Sequence, residues 1–378
     1  MMDSVWIVPA AAAALLWWTL LALPWRPWRT TERLEGTGAA ASDLSGVTVL
    51  IPARNEAATI GRILAALADQ GPGLRVVVVD DESTDGTGAA AYASGLSNLT
   101  VLRSAPLPSE WTGKLWALEQ ARHHLETPLV LLLDADIALA PGTIDALRAR
   151  LRADHLQLVS LMAAPGLNGL WERLLMPAFV YFFKLLYPFR LANSRSGRVA
   201  AAAGGCILME TEWLDRIGGF GSIRDELIDD CALARRVKSG GGRTWIGLTH
   251  SALMVRDHGF RDIWDMVART AFIQLRYSSL LLGLCTLALL LAFLAPAAGL
   301  IAADGAVRAL SAAALAGMIL SYIPTLRFYD RTPAWALTLP AIGLLYLLMT
   351  WASAVRYWRG DRSRWKNRTY IRLPHKGR

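Results

Sequence analysis

Three hydrophobic patterns divide the chain. Residues 5–23 form a charge-free apolar run of about the length that a bilayer-crossing helix needs. From residue 47 to about 277, short apolar runs rich in β-branched residues alternate with stretches of helical spacing. After Ser278 the chain turns apolar again, and residues 280–302, 310–326 and 334–355 are each long enough to be a span.

Within the middle region, "VTVLIPA" and "RVVVVDD" have the continuous apolar character of buried parallel strands. Between them, "EAATIGRILAALADQG" spaces its apolar residues as a helix and stops at glycine. "NLTVLRS" and "LVLLLDAD" are two more strands, with "KLWALEQARHHL" as the helix that joins them. The succession predicts an α/β fold with a mixed, mostly parallel sheet and ligands at the carboxyl ends of its strands. Beyond Ser160 the pattern is less regular. "LWERLLMPAFVYFFKLLYPFRLA", residues 170–192, is apolar, but Glu172, Arg173, Lys184, Arg190 and two prolines make a straight crossing costly. It reads as an amphipathic element at a membrane surface, with a buried helix of the globular part as the alternative. "EGTGAAASDLSG", residues 35–46, reads as a flexible linker. The expected organisation is an anchor at 1–25, a linker at 26–46, a globular domain at 47–277, a membrane region at 278–356 and a basic tail at 357–378.

Charge refines this picture. The net charge is +8, and the stretch from Arg356 to Arg378 holds nine Lys or Arg against the single Asp361, which accounts for all of it. A basic patch confined to one end suits anionic lipid headgroups and argues against nucleic acid as a partner. The start "MMDS" lacks the basic flank of a cleaved signal, while Arg26, Arg29 and Arg33 follow the first apolar run, so an uncleaved anchor with a cytoplasmic globular domain is expected. Four crossings from an outside amino terminus would leave the basic tail outside, against the positive-inside tendency. One segment is therefore expected to be re-entrant or interfacial, first of all the middle one with Arg308 and Pro324. Cys206, Cys231 and Cys285 are far apart and form no CxxC pair, which fits a reducing compartment. The histidines include no HExxH, so zinc has little support.

The candidate chemistry lies where carboxylates follow apolar strands. In an extended segment Asp134 and Asp136 would face the same way, and two like charges there call for a cation. Mg²⁺ or Mn²⁺ takes oxygen ligands and completes its shell with water and phosphate. Taken alone, an Asp-x-Asp pair is equally a strand cap. "VVVVDDESTDGT" sets Asp80, Asp81 and Asp85 in a loop suited to donors such as a base imide or ribose hydroxyls. "GTGAAA" is a poor dinucleotide fingerprint, because anions intervene between strand and glycines. In "RDELIDDCALARRVKSGGG", Asp229 and Asp230 stand at the start of a helix. The helix dipole favours them as caps and would keep a general base ionised.

Taken in order, "IPARNE", "VVDDESTDGT", "GK..AL" at 113–118, "DAD", "AAAGGCILM" and "IDDCAL" resemble the family 2 glycosyltransferases, which have the GT-A fold. The resemblance covers roughly residues 47–238 and is nearest to the membrane-bound branch that includes the hopanoid-associated enzymes. It implies that Pro52, Glu56, Asp80 and Asp81 hold the nucleoside of a nucleotide sugar, with Lys114 beside it. It also implies that Asp134 and Asp136 hold the metal and diphosphate. Asp230 would then be the base, with Asp229 in place of the family's glutamate, and Gly204 and Gly205 would form the acceptor-side wall. The Q/R-x-x-R-W motif of the processive members is only partly present: "FIQLRYSS" keeps Arg276, which is expected at the diphosphate or at a lipid headgroup, but has Tyr277 for tryptophan and Ile273 for Gln or Arg.

The expected activity is inverting transfer from a nucleotide sugar, a UDP-sugar in the first instance, to a lipid acceptor at the cytoplasmic face of the inner membrane. Polyprenyl phosphate is an alternative acceptor. A non-catalytic membrane binding protein on the same scaffold is an alternative of another class.

Overall fold

Alternation along the apolar strands builds two core layers from one sheet. Val47, Val49, Ile51, Val76, Val78, Leu129, Leu131 and Leu133 enter one layer. Leu50, Val77, Val79, Val130 and Leu132 enter the other. A strand buried on both faces must be apolar at every position, which is why these runs are continuous. Each fully buried Val or Leu contributes about 1.5–3 kcal/mol.

The structure is a computed structural model that describes residues 2–41, 43–302 and 304–360, together with the backbone pairs 364–365 and 368–369. The rest of the basic tail, 361–378, lies outside the described residues. The strands are β1 (Val47–Ala53), β2 (Arg75–Asp80), β3 (Leu99–Arg103), β4 (Leu129–Leu133), β5 (Ile137–Leu139), β6 (Leu158–Ala164), β7 (Cys206–Glu210) and β8 (Thr244–Met254). The helices are α1 (Met2–Ala22), α2 (Ile60–Ala68), α3 (Thr87–Tyr92), α4 (Gly113–Arg122), α5 (Thr143–Ala153), α6 (Leu170–Leu186), α7 (Phe189–Ala192), α8 (Thr211–Arg216), α9 (Asp229–Ser239), α10 (Phe260–Gln274), α11 (Ser279–Leu289), α12 (Ala295–Ala302), α13 (Gly305–Phe328) and α14 (Leu339–Trp358).

Residues 32–166 and 189–257 form the sheet unit. Its eight strands run in the order β3-β2-β1-β4-β7-β6-β8-β5. The pairs β1·β2, β1·β4, β2·β3 and β6·β8 are parallel. The pairs β4·β7, β6·β7 and β5·β8 are antiparallel. Helices α2 and α5 cover one layer through Ile63, Leu67, Ile144 and Leu147, and α4 and α9 cover the other through Leu115, Leu118, Leu233 and Val237. The α/β expectation holds.

The stretch expected as a flexible linker is strapped to this sheet. Leu34 N–H donates to Leu248 O at 3.1 Å, and Leu248 N–H donates to Glu32 O at 2.9 Å. The Glu35 carboxylate accepts from Thr249 Oγ1, His250 N–H and Ser251 Oγ at 2.8–3.0 Å. Farther on, a Cβ on Gly142 would stand 2.0 Å from Thr37 Oγ1, and one on Gly71 would stand 2.5 Å from Ala41 O. Small residues in this stretch allow close packing on the domain, and here they serve that purpose instead of flexibility.

Residues 2–31, 167–188 and 258–360 form a helical unit. Three of its stretches are long and apolar enough to cross a bilayer: Ser279–Ile301, Gly305–Phe328 and Pro333–Trp358; Trp6–Ala22 is a shorter apolar helix. The middle segment, named above as the first candidate for a re-entrant or interfacial one, is a single 24-residue helix, α13, with Pro324 inside it. The first of the three has a π-turn at residues 290–294. A π-turn redirects a backbone carbonyl from its usual partner, and Ala292 O receives Trp17 Nε1–H at 2.8 Å. Helix α6 packs among these helices: Tyr181 and Ser321 hydroxyls meet at 2.7 Å, and Tyr346 OH donates to Leu175 O at 2.9 Å.

Candidate active site

The strand order reverses at β1, which pairs with β2 on one side and β4 on the other. Loops leaving the carboxyl ends of such neighbours diverge and leave a crevice. A cavity at that point is lined by Pro52 of β1, Asp134 after β4, Lys114 of α4, Gly204 before β7, and Asp229 and Asp230 of α9, alongside Leu118, Phe220 and Leu233. Six of the expected site residues, drawn from five separate segments, thus share one hollow.

Lys114 pairs with acids from two of these segments. Its Nζ lies 2.9 Å from Asp134 Oδ1 and 3.4 Å from Asp229 Oδ2. Burial works against the ammonium, but Asp134 and Asp229 outweigh it and hold the Lys114 pKa well above the ordinary range. Burial raises the Asp134 pKa, with Lys114 opposing and the nearby Asp136 adding to the rise.

Asp230 accepts Gly204 N–H at 2.8 Å through Oδ2 and Cys231 N–H at 2.7 Å through Oδ1. The expectation that the helix field keeps it fully ionised does not hold. Burial and the Asp229 charge push its pKa up to about 7, against the two N–H groups and Lys114. A carboxyl group that titrates near neutrality is poised to exchange a proton. Gly204 makes this packing possible, since a Cβ there would lie 3.3 Å from Lys114 Nζ and 3.4 Å from Asp230 Oδ2. Gly205 O accepts Asp134 N–H at 3.1 Å, and a Cβ on Gly205 would lie 3.2 Å from Ile137 Cγ1.

Asp134 and Asp136 are not on an extended segment. A turn links β4 to β5, closed by Ile137 N–H to Asp134 O at 3.1 Å. Asp134 faces Lys114, and Asp136 Oδ2 lies 3.7 Å from Arg256 Nε. Among the described residues no cluster of three or more His, Cys, Asp or Glu is arranged as a metal cage. Two part-exposed carboxylates fit Mg²⁺ or Mn²⁺ nonetheless, because Mg²⁺ ordinarily takes one or two carboxylates and completes its shell with water and phosphate.

The loops after β1 and β2 interlock. Asp80 is partly exposed, and its Oδ1 accepts Ser83 N–H at 3.0 Å. Gly88 lets it sit there, as a Cβ would lie 2.9 Å from Asp80 Oδ2. Asp81 is fully buried, 3.6 Å from Arg54 Nη1. Glu56 is buried too, accepting Thr59 Oγ1–H at 2.9 Å and pairing with Arg256. Asp81 and Glu56 therefore brace the loop from within, and Asp80 is the part-exposed carboxylate of the three. Asp85, in the same loop, accepts Ala57 N–H and Thr87 N–H. Arg256, which meets both Glu56 and Asp136, is absent from the sequence expectations. It lies just past β8 with no motif around it, and only the β5·β8 pairing brings it to Asp136.

The family model of the glycosyltransferase-like family 2 matches residues 45–270, more than half of the chain. The chain belongs to glycosyltransferase family 2. A mannosyltransferase of Pyrobaculum calidifontis, PcManGT, solved with GDP-Man and Mn²⁺, superposes with a TM-score of 0.59 over 94% of this chain and 100% of its own, at 20% identity. That likeness establishes the GT-A-like fold of this family 2 member. A 4,4'-diaponeurosporenoate glycosyltransferase of Staphylococcus aureus is 34% identical over 102 residues, 27% of each chain. The chain thus spans about a quarter of the length of the curated relatives it matches.

Arg276 belongs to the helical unit, at the bend between α10 and α11. It and Tyr277 have φ of 52° and 57°, and the Tyr277 ring stacks on Tyr357 at 4.5 Å. Two successive left-handed non-glycine residues are uncommon and mark a bend held by its surroundings.

Proposed function

We propose that this family 2 glycosyltransferase moves a sugar, with inversion, from a UDP-sugar to the hydroxyl of a membrane lipid on the cytoplasmic side of the inner membrane. The observation that carries the proposal is the shared cavity, in which a lysine and a strand-end carboxylate face a second acidic pair. Its narrower form, a hopanoid-related acceptor, rests on the sequence resemblance alone. The three long apolar helices support a membrane location, and the relative named for 4,4'-diaponeurosporenoate supports transfer beyond sugar polymers. Arg26, Arg29 and Arg33 after α1 support the cytoplasmic side.

In this reading Pro52 and Asp80 border the nucleoside, and Lys114 receives the phosphates. Asp134 and Asp136 would hold Mg²⁺ or Mn²⁺, which supplies positive charge to the departing diphosphate. Asp230 takes the proton of the acceptor hydroxyl as the acceptor oxygen bonds to the anomeric carbon. The bond from that carbon to the β-phosphate oxygen breaks, and the nucleoside diphosphate leaves with the electron pair. Attack from the face opposite the leaving group inverts the anomeric configuration without a covalent sugar–enzyme intermediate. Asp229 pairs with Lys114 and by its charge raises the Asp230 pKa, and Gly204, with no side chain, lets Lys114 and Asp230 close on the backbone there.

The test is incubation of detergent-purified protein with a panel of nucleotide sugars and a total bacterial lipid extract, read by mass spectrometry. A hexose-sized or related mass increment on a lipid supports the proposal. No increment with any donor, from protein that binds nucleotide, rejects the lipid acceptor.

A further inference from the structure

Arg256 has a placement that general ion pairing does not explain. The register Ile137 to Met254 and the 2.9 Å bond from Val255 N–H to Asp136 O set Val255 opposite Asp136 and Arg256 next to it. Its Nη2 pairs with the buried Glu56 carboxylate, which tethers the guanidinium. Its Nε is buried without a hydrogen-bond partner and lies 3.7 Å from Asp136 Oδ2, near enough for charge but too far for a hydrogen bond. A buried donor left unsatisfied is costly, and native proteins keep few of them. On the other carboxylate of the pair, Lys114 Nζ sits 2.9 Å from Asp134 Oδ1. Each acid of the clamp thus has its own cation, and one of those cations holds an unused donor.

We propose that Arg256, tethered by Glu56, is a resident counter-ion of the clamp that moves its charge from Asp136 to the donor's diphosphate when a divalent cation takes the carboxylates. The inference rests on the donor reading above and deepens it. A divalent cation arriving alone must compete with Lys114 and Arg256 for the two acids. A nucleoside diphosphate arriving with it gives both side chains new anionic partners. Planar guanidinium is suited to this exchange because it binds carboxylate and phosphate through the same fork of donors. Cation and diphosphate are then coupled, each raising the affinity of the other. Arg256 is a positioning residue in this scheme, and it joins the nucleoside-side loop carrying Glu56 to the phosphate end of the cleft.

The test measures Mn²⁺ binding to the detergent-purified full-length chain by electron paramagnetic resonance of free Mn²⁺, with and without UDP, and with GDP in parallel. In the wild type the nucleotide should tighten Mn²⁺ by about tenfold or more. In Arg256→Gln the factor should fall to about threefold or less, through tighter Mn²⁺ binding alone and weaker binding with nucleotide. Because Arg256→Gln leaves Glu56 buried without its partner, the double variant Glu56→Gln/Arg256→Gln serves as the folded control and should lose the coupling in the same way. A wild-type coupling factor in both variants overturns the inference. So does equal loss of Mn²⁺ binding in both conditions, which would mean that Arg256 only holds Asp136 in place. A wild type that binds neither UDP nor GDP overturns the donor reading and this inference with it, whereas normal nucleotide binding with unaltered coupling overturns this inference alone.

Discussion

Replacing Asp230 by Asn should make the protein more stable at pH 8 while leaving it inactive. Burial and the Asp229 charge raise the Asp230 pKa from 3.8 to about 7. The folded chain therefore holds this proton more tightly than the unfolded chain, so the wild type loses stability as pH rises from about 4 to about 7 and stays at the lower value above that. A rise of about three pKa units corresponds to roughly 4 kcal/mol of strain from the charged form. Asn removes that charge but offers one acceptor where Asp230 serves both Gly204 N–H and Cys231 N–H. Leaving one N–H unpaired costs about 1–2 kcal/mol. The net gain should be about 2–3 kcal/mol at pH 8, or roughly 4–10 °C in the unfolding midpoint of a unit this size. Below pH 5 the gain should vanish or change sign. Thermal unfolding followed by tryptophan fluorescence in detergent, at several values from pH 5 to pH 8, reads this directly. A variant no more stable than wild type at pH 8, or one with the same shift at every pH, refutes the account of Asp230.

Other outcomes follow from the same geometry. The rate of transfer at low substrate should rise with pH through about 7, as Asp230 loses its proton, and a flat profile from pH 6 to pH 8 would remove it as the base. Asp136→Ala should weaken Mn²⁺-dependent UDP binding at least about tenfold by calorimetry, and full affinity would contradict the clamp. Gly204→Val should lower transfer and weaken UDP binding, each at least about tenfold, because its side chain presses on both Lys114 and Asp230, and wild-type UDP affinity in this variant would contradict the place given to Lys114. Glu35→Ala should cost about 1–3 kcal/mol by unstrapping the residues before β1, and limited proteolysis should then cut between residues 33 and 46.

The parts of this protein that were legible in the sequence are those set by local pattern. The continuous apolar runs of β1, β2 and β4 and the acids at their ends need only their own residues to be read. What depends on distant pairing was not legible. Arg256 reaches Asp136 only through the β5·β8 register, and nothing in "MVRDHG" points to it. Asp81 and Asp80 look alike in sequence, yet one is fully buried against Arg54 and the other partly exposed. The stretch "EGTGAAASDLSG" has the composition of a linker, but Glu35 finds three partners at residues 249–251 of β8 and the small residues fit under neighbouring glycines. The "DAD" pair does follow a strand, but its backbone is a turn, which two alternating acids cannot distinguish from an extended end.

The central claim is that one cavity holds the donor's phosphates at Lys114 and Asp134 and a proton acceptor at Asp230. The most direct test is to measure UDP binding in the presence of Mn²⁺ and sugar transfer to lipid on a single preparation of Asp230→Asn. The account predicts UDP affinity within about threefold of wild type and transfer lower by at least about a hundredfold. Transfer at the wild-type rate, or loss of UDP binding together with transfer, would contradict it.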